Sequence, residues 1–423
     1  MDLIIFIICS ILVIFIYTSN FSKVFYLKKL SLPLLLIFFI ILLILFSDTA
    51  VESARSGLNL WLNIVFPSLF PFFVVSDILG STGFVRAIGI LLEPVMRPLF
   101  NVPGCGSFAL AMGITSGYPV GARITASLKA ENLIKKSEAE RLLAFTNNSG
   151  PLFIAGAVAT GMLQRPDLGV FLLASHILAS ITVGILFGLC RKPDNSKNNV
   201  SAWNALKRFK SELAKAGKTS LSSLGSVLRN AINNSIMTIL AIGGFIILFS
   251  VIINMLLKTG FIGAASNLAA LVFSPFGANS DVFPGIVSGF FEITTGASIA
   301  CKTEALPLEA QLTAVSLIIG WGGLSVHFQV LSIVSSSGIS IKPYLLGKLL
   351  HGIISAIYTY IGIKTTGLLH MSKPAFSQLV PAQGPEWKII FIQSIQCLIV
   401  TAFILAICTF ISILIMVISP RRN

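Results

Sequence analysis

Polar residues are scarce in this chain, and those able to do chemistry gather at a few places inside apolar stretches. Thr115, Ser116, Gly117 and Tyr118 lie between Gly113 and the run Pro119, Gly121, Arg123. Asn147, Asn148 and Ser149 precede Gly150-Pro151. Glu292 precedes Thr294, Thr295 and Gly296, and Gly320-Trp321-Gly322-Gly323 precedes Ser325, His327 and Gln329. The sequence carries no Walker motif, no GxSxG, no HExxH and no acidic cluster set for a metal. An enzyme is therefore not predicted, and neither is a cofactor or a metal site.

The chemistry these residues suit is recognition of a small polar molecule. A hairpin tip exposes free backbone N–H groups at the start of its returning helix, which favours an anion. Thr115, Ser116 and Gly117 are predicted to form one such tip, and Thr294, Thr295 and Gly296 the other. Either set also suits close helix packing in a membrane. Asn147, Asn148 and Ser149 can offer donors and acceptors to a ligand, or satisfy the carbonyls that Pro151 leaves free. Arg123 is a bidentate partner for a carboxylate, or else it reaches the interface along its own stem. Glu292 either couples transport to a proton or cation or pairs with a base such as Lys302. Tyr118 and Trp321 can stack on an aromatic ligand or simply pack. His327 reads as a structural hydrogen-bonded group, and His176 and His351 carry less signal still. The predicted substrate-binding set is thus Thr115, Ser116, Gly117, Tyr118, Arg123, Asn147, Asn148, Ser149, Glu292, Thr294, Thr295, Gly296 and Ser325.

The elements that must hold these residues are membrane helices. The chain has 423 residues, 55% hydrophobic and 11% charged, with a mean hydropathy of +0.90. Soluble domains carry roughly a quarter charged residues, so the fold class is an all-α polytopic membrane protein in a lipid bilayer. The net charge of +14 lies mostly in short connections between apolar spans, as the positive-inside rule produces. A nucleic-acid partner is therefore not expected. The six cysteines form no CxxC and no Cys/His cluster, so no disulfide framework is indicated.

Spans of roughly 20 apolar residues cross a bilayer. On that basis nine helices are predicted, at about Asp2–Ser19, Ser31–Ser47, Ala54–Leu79, Glu138–Met162, Asp167–Leu189, Asn230–Leu257, Glu309–Ser335, Pro343–Thr366 and Lys388–Ile418. The first lacks a basic leader and a cleavage signal and reads as a retained helix. Val102–Ala130 and Val282–Thr303 are predicted to be re-entrant hairpins. Gly83–Phe100 and Phe261–Phe276 are predicted to lie at the interface before them. Threading the nine spans with the amino terminus outside puts the basic connections, the loop Arg191–Lys218 and the tail Arg421-Arg422 on the cytoplasmic side. The carboxyl terminus is then cytoplasmic as well.

The order of hairpin, charged turn and broken helix occurs twice, and the threading inverts one copy relative to the other. Irregular backbone at membrane depth is tolerated where it is buried in protein or lines a wet cavity. In inverted repeats, such paired interruptions mark a substrate site near the midplane. The expected division is 1–53 (scaffold helices), 54–190 (first repeat), 191–229 (basic loop), 230–367 (second repeat) and 368–423 (loop and last helix). Whether copies of the chain associate as a homo-oligomer is left open.

The run Gly57-Leu58-Asn59-Leu60-Trp61-Leu62-Asn63-Ile64-Val65-Phe66-Pro67-Ser68-Leu69-Phe70-Pro71-Phe72 resembles the opening of the sporulation integral membrane proteins of endospore formers, a group with a nucleoside-recognition (Gate) domain. Thr115 to Ala122 and Thr146 to Pro151 match that family's most recognisable blocks, and the resemblance covers roughly residues 50 to 370. It implies a multi-pass protein of the outer forespore membrane that moves dipicolinate, pyridine-2,6-dicarboxylate, from the mother cell towards the spore. It also implies an architecture similar to concentrative nucleoside transporters, which work by an elevator motion. The resemblance does not assign the substrate residues. From the residues alone, another small carboxylate, a nucleoside or a non-transporting assembly component stays open.

Overall fold

A computed structural model describes residues 33–34, 36–81, 84–189, 209–212 and 224–366. The helices predicted at Asp2–Ser19 and Lys388–Ile418 lie outside these residues, as does nearly all of the basic loop. The described residues are helical, with no strand among them. In chain order the helices are α1 (Leu36–Leu45), α2 (Ser47–Leu60), α3 (Phe66–Ser81), α4 (Phe84–Phe100), α5 (Gly106–Ser116), α6 (Val120–Ala130), α7 (Lys136–Thr146), the π-helical α8 (Leu152–Met162) and α9 (Gly169–Leu189). They continue with α10 (Leu224–Lys258), α11 (Phe261–Phe273), α12 (Phe283–Phe291), α13 (Ile293–Lys302), α14 (Leu308–Trp321), α15 (Gly323–Val334) and α16 (Lys342–Thr366).

Four segments are long and apolar enough to cross a membrane: Pro166–Leu189, Gly225–Lys258, Leu308–Ser337 and Lys342–Thr365. They correspond to four of the nine predicted spans. The predicted helices Ser31–Ser47 and Ala54–Leu79 are cut differently. A bend of 101° separates Leu36–Leu45 from Ser47–Asn63, and that pair qualifies only if taken together. The predicted span Glu138–Met162 splits at Asn147–Gly150 into α7 and α8, each 11 residues long. Pro151 removes a donor there and halts the helical ladder.

Leu178, Leu186, Leu240, Leu248, Leu346, Ile353 and Ile357 are exposed on the long helices. Apolar patches of that extent do not face water on a monomer. The protein is an integral membrane protein that passes the bilayer several times.

Small residues draw the helices together, as expected where lipid removes the hydrophobic drive between them. Gly57 sits against Ile247 and Ser250, and Gly243 lies under the Trp61 ring. The indole Nε1–H of Trp61 donates to the Ile239 carbonyl at 3.0 Å, tying the π-turn after α2 to α10. Gly320 of α14 meets Gly352 of α16, and further along the same pair of helices Ser316 and Thr359 share a hydrogen bond of 2.7 Å. Gly285 faces Ala300 while Gly289 faces Gly296, so α12 and α13 run antiparallel as a hairpin. Helix α16 is common to both halves, since it packs on α14, α9 and α7.

Candidate functional site

The polar residues of the first helix break are buried. Asn147 is 0% exposed, Asn148 and Ser149 1% each. Three glycines explain why the chain can pass there. A Cβ on Gly113 or Gly121 would lie 1.9 or 2.1 Å from the Thr146 carbonyl oxygen, so only glycine lets α5 and α6 clasp the end of α7. Gly117 turns at φ +83°, and its Cβ position lies 2.6 Å from the Gly150 nitrogen. The first hairpin tip is therefore seated on the first break, with Tyr118 accepting a bond of 3.2 Å from the Ser149 hydroxyl. The Thr115 hydroxyl turns back to the Ala111 carbonyl, whereas the Ser116 hydroxyl is buried without a partner.

The second break repeats the arrangement with different chemistry. Gly322 (φ +92°) and Gly323 (φ +80°) interrupt α14 and α15, and Gly323 lies against Ile293 and Glu292 at the second tip. There the carboxylate of Glu292 accepts from the amides of Thr294 at 2.9 Å and Thr295 at 2.7 Å. These amides were expected to face an anionic ligand; the chain's own carboxylate takes them instead, as a helix cap. Gly296 closes on Gly289, its Cβ position 2.1 Å from the Gly289 Cα, which is the packing role. Ser325 is buried in the first turn of α15. Trp321 stacks on Phe290 at 5.4 Å and meets the His327 ring edge-on at 4.3 Å.

One residue joins the two breaks. The Tyr344 hydroxyl accepts from Asn147 Nδ2 at 3.1 Å and lies 3.0 Å from His327 Nδ1. The imidazole tautomer sets whether the hydroxyl donates to His327 Nδ1 or accepts from it. One turn further along α16, Lys348 Nζ donates to the Asn147 carbonyl at 3.1 Å and to His351 Nδ1 at 3.0 Å. His351 Nε2–H in turn donates to the His176 carbonyl at 2.9 Å. His176 Nε2 accepts from the Ser149 amide at 3.1 Å, and its ring lies 4.3 Å from that of His351. Asn148 Nδ2 donates to the Phe145 carbonyl and to the Ser180 hydroxyl, each at 2.9 Å. Within this cluster Asn147 Oδ1, Asn148 Oδ1, His176 Nδ1 and His327 Nε2 are buried with no partner. Buried polar atoms are normally paired, and these four are exceptions within the cluster.

Arg123 lies outside this cluster, although its Nη1 is also buried with no partner. Its guanidinium pairs with Asp77 at 2.7 Å and lies over the Phe73 ring at 5.0 Å. Both charges line a separate half-open cavity of about 580 Å³ between α3, α6 and α10, with Asn230, Asn234 and Thr238 on its wall. The predicted set thus divides: Tyr118, Asn147, Asn148 and Ser149 share one buried network, and Arg123 belongs to another place. Among the described residues no group of three or more His, Cys, Asp or Glu is placed to hold a metal ion.

Sequence reasoning missed Lys348 and Tyr344 and undervalued His176 and His351. A signal existed. Tyr344, Lys348, His351, Ser355 and Thr359 recur at steps of four, three, four and four residues in an apolar span, and each is at most 1% exposed. That spacing is one face of a helix, and a buried polar stripe in a span needs a polar counterpart.

The fold and site together define a class: a polytopic helical membrane protein whose two hairpin tips each sit on a broken helix around a polar interior. Residues 62–163 match the model of the Gate family, described as nucleoside recognition; they hold the first hairpin and the first break. Over 341 residues the chain is 38% identical to the sporulation integral membrane protein YlbJ of Bacillus subtilis (strain 168), covering 79% of this chain and 83% of that protein. The chain belongs to this family of sporulation integral membrane proteins. No solved structure matches it.

Proposed function

We propose that this protein is a transporter that moves a small organic anion, dipicolinate, across the outer forespore membrane during sporulation. In this reading 54–190 and 230–367 are inverted repeats, and the substrate binds near the midplane where their broken helices meet. The hairpins and breaks move against the remaining helices in alternating access of the elevator kind. The amino terminus lies outside and the carboxyl terminus on the mother-cell side. The division of the chain, with 1–53, 191–229 and 368–423 outside the repeats, belongs to the same proposal.

The observation that carries this reading is the interior polar network, where Lys348 reaches the open carbonyl of Asn147 with no carboxylate partner. A lysine inside a membrane span marks a substrate or ion path by default, and an unbalanced positive group suits an anionic ligand. The description of the matched family supports a second reading, transport of a nucleoside. A neutral nucleoside leaves the lysine without a counter-charge, and the anion is preferred for that reason.

The test is dipicolinate content of spores carrying Asn147→Ala or Asn148→Ala, with membrane level confirmed by immunoblot and mother-cell dipicolinate assayed in parallel. The expected result is spores depleted of dipicolinate beside a mother cell that still makes it. Normal spore dipicolinate from both variants at normal protein level would sink the site. A spore defect with unchanged dipicolinate would point instead to a role in assembly.

A further inference from the structure

We propose that the cavity beside the Arg123–Asp77 pair is the head of a phospholipid site, taking an ethanolamine lipid whose acyl chain runs inward along α10. The site is independent of the transported substrate.

The groove begins as one face of one helix. Val227, Asn230, Asn234, Thr238, Ile242 and Phe245 recur on α10 at steps of three or four residues, which makes a single stripe. The stripe is about 27 Å long and changes character partway, from asparagine and threonine to isoleucine and phenylalanine. Its outer part lines the half-open cavity of about 580 Å³. Its inner part lines a second cavity, of about 220 Å³, between α10 and α15. Met237 and Thr238 belong to both walls, so the two cavities are consecutive along the helix. Met237 is 69% exposed, and Asn230 and Asn234 are exposed as well. No described residue closes the outer half of the groove.

The ends of the groove differ in depth. The outer end lies where α6 stops and α10 starts, beside a turn carrying Lys129, Glu131, Lys135 and Lys136. Charges so placed belong at the water boundary. From there the wall turns apolar towards the middle of the span Gly225–Lys258. A ligand with a polar end at the boundary and an apolar end inside is an amphiphile of the bilayer. A water-soluble anion has no use for the face made by Ala241, Ile242 and Phe245 with Ile333.

The charges choose the headgroup. Arg123 is held in place by Asp77 at 2.7 Å and by the Phe73 ring, and Asn234 bonds the same carboxylate. Its guanidinium lines the cavity and is a donor suited to a phosphate. Glu131 lines the same cavity, two turns outward and about 12 Å along the axis of α6. The order from the boundary inwards is carboxylate, guanidinium, apolar stripe. An ethanolamine phospholipid has the matching order of ammonium, phosphate and acyl chain. A choline headgroup has no N–H to give the carboxylate. A glycerol headgroup leaves the lipid anionic against the two carboxylates and one guanidinium that line the cavity.

The test uses purified full-length protein in detergent, with bound lipid counted by native mass spectrometry. The probes are dioleoyl lipids with ethanolamine, choline or glycerol headgroups, and glycerophosphoethanolamine, which has no chains. Wild type is expected to hold one ethanolamine lipid about tenfold more tightly than either of the others, the worth of one charged hydrogen bond. Glu131→Gln should bring the ethanolamine and choline lipids level, and Glu131→Asp should keep them apart. Met237→Trp fills the groove from an exposed position and should weaken the ethanolamine lipid about tenfold at an unchanged melting temperature. If that variant melts lower, the two Glu131 variants decide alone. Equal retention of the three lipids, or of none, overturns the inference, as does retention that no substitution changes. Glycerophosphoethanolamine binding as tightly as the lipid would mean a soluble phosphate ester, and overturns it too. So does displacement of the lipid by pyridine-2,6-dicarboxylate, which would make the cavity part of the substrate route. None of the lipid results bears on the transporter reading.

Discussion

Lys348 Nζ lies 3.1 Å from the carbonyl oxygen of Asn147, a residue 201 positions earlier in the chain. The last described helix thus caps the broken helix of the first half. Tyr344, one turn before it, binds the Asn147 side chain and also His327 beyond the second break. Helix α16 is thus the element that ties the two breaks into one hydrogen-bonded network.

The Tyr344 bridge is open to a coupling measurement. Tyr344→Phe leaves the ring in place and removes the hydroxyl, leaving Asn147 Nδ2 and His327 Nδ1 buried without it. The expected cost is about 1–3 kcal/mol, read as a lower melting temperature of the purified protein. Asn147→Ala and Tyr344→Phe should be non-additive by roughly 0.5–3 kcal/mol. Strictly additive effects would mean that the two side chains do not meet in the membrane.

The glycine clasp makes a contrast within one residue type. Gly121→Ala places a Cβ against the Thr146 carbonyl, a backbone atom that cannot swing aside. Destabilisation of about 1–3 kcal/mol is expected, as for overpacking elsewhere. Gly263→Ala, in α11 with nothing within 4 Å of its Cβ position, is expected to be neutral or stabilising by up to about 1 kcal/mol through helix propensity. Equal melting temperatures for the two variants would refute the close approach of α6 and α7.

Arg123 and Asp77 should behave as a pair and not as part of the ligand network. Arg123→Gln strands the Asp77 carboxylate, and Asp77→Asn strands the guanidinium, each at a cost of about 1–3 kcal/mol because a partly buried charge loses its partner. The double variant should recover part of that loss. If affinity for pyridine-2,6-dicarboxylate fell in the double variant at unchanged melting temperature, Arg123 would have to be returned to the binding site.

What the residues determined by themselves was class and punctuation. Low charge and long apolar runs leave no alternative to membrane helices, because unpaired backbone cannot be left in lipid. Thr115-Ser116-Gly117, Asn147 to Pro151 and Gly320 to Gly323 announced the irregular positions, since glycine and proline act on the backbone locally whatever surrounds them. Partnership was not legible. The Glu292 cap is local, made to amides two and three residues on, but Arg123 turning to Asp77 and Lys348 reaching back to Asn147 depend on which helices pack side by side. That choice is made by the small residues at the crossings, Gly113, Gly121, Gly320, Gly347 and Gly352. A side chain's chemistry is written in its type, but its counter-charge and its hydrogen-bond acceptor come from elsewhere in the chain, and only tertiary packing brings them within 3 Å.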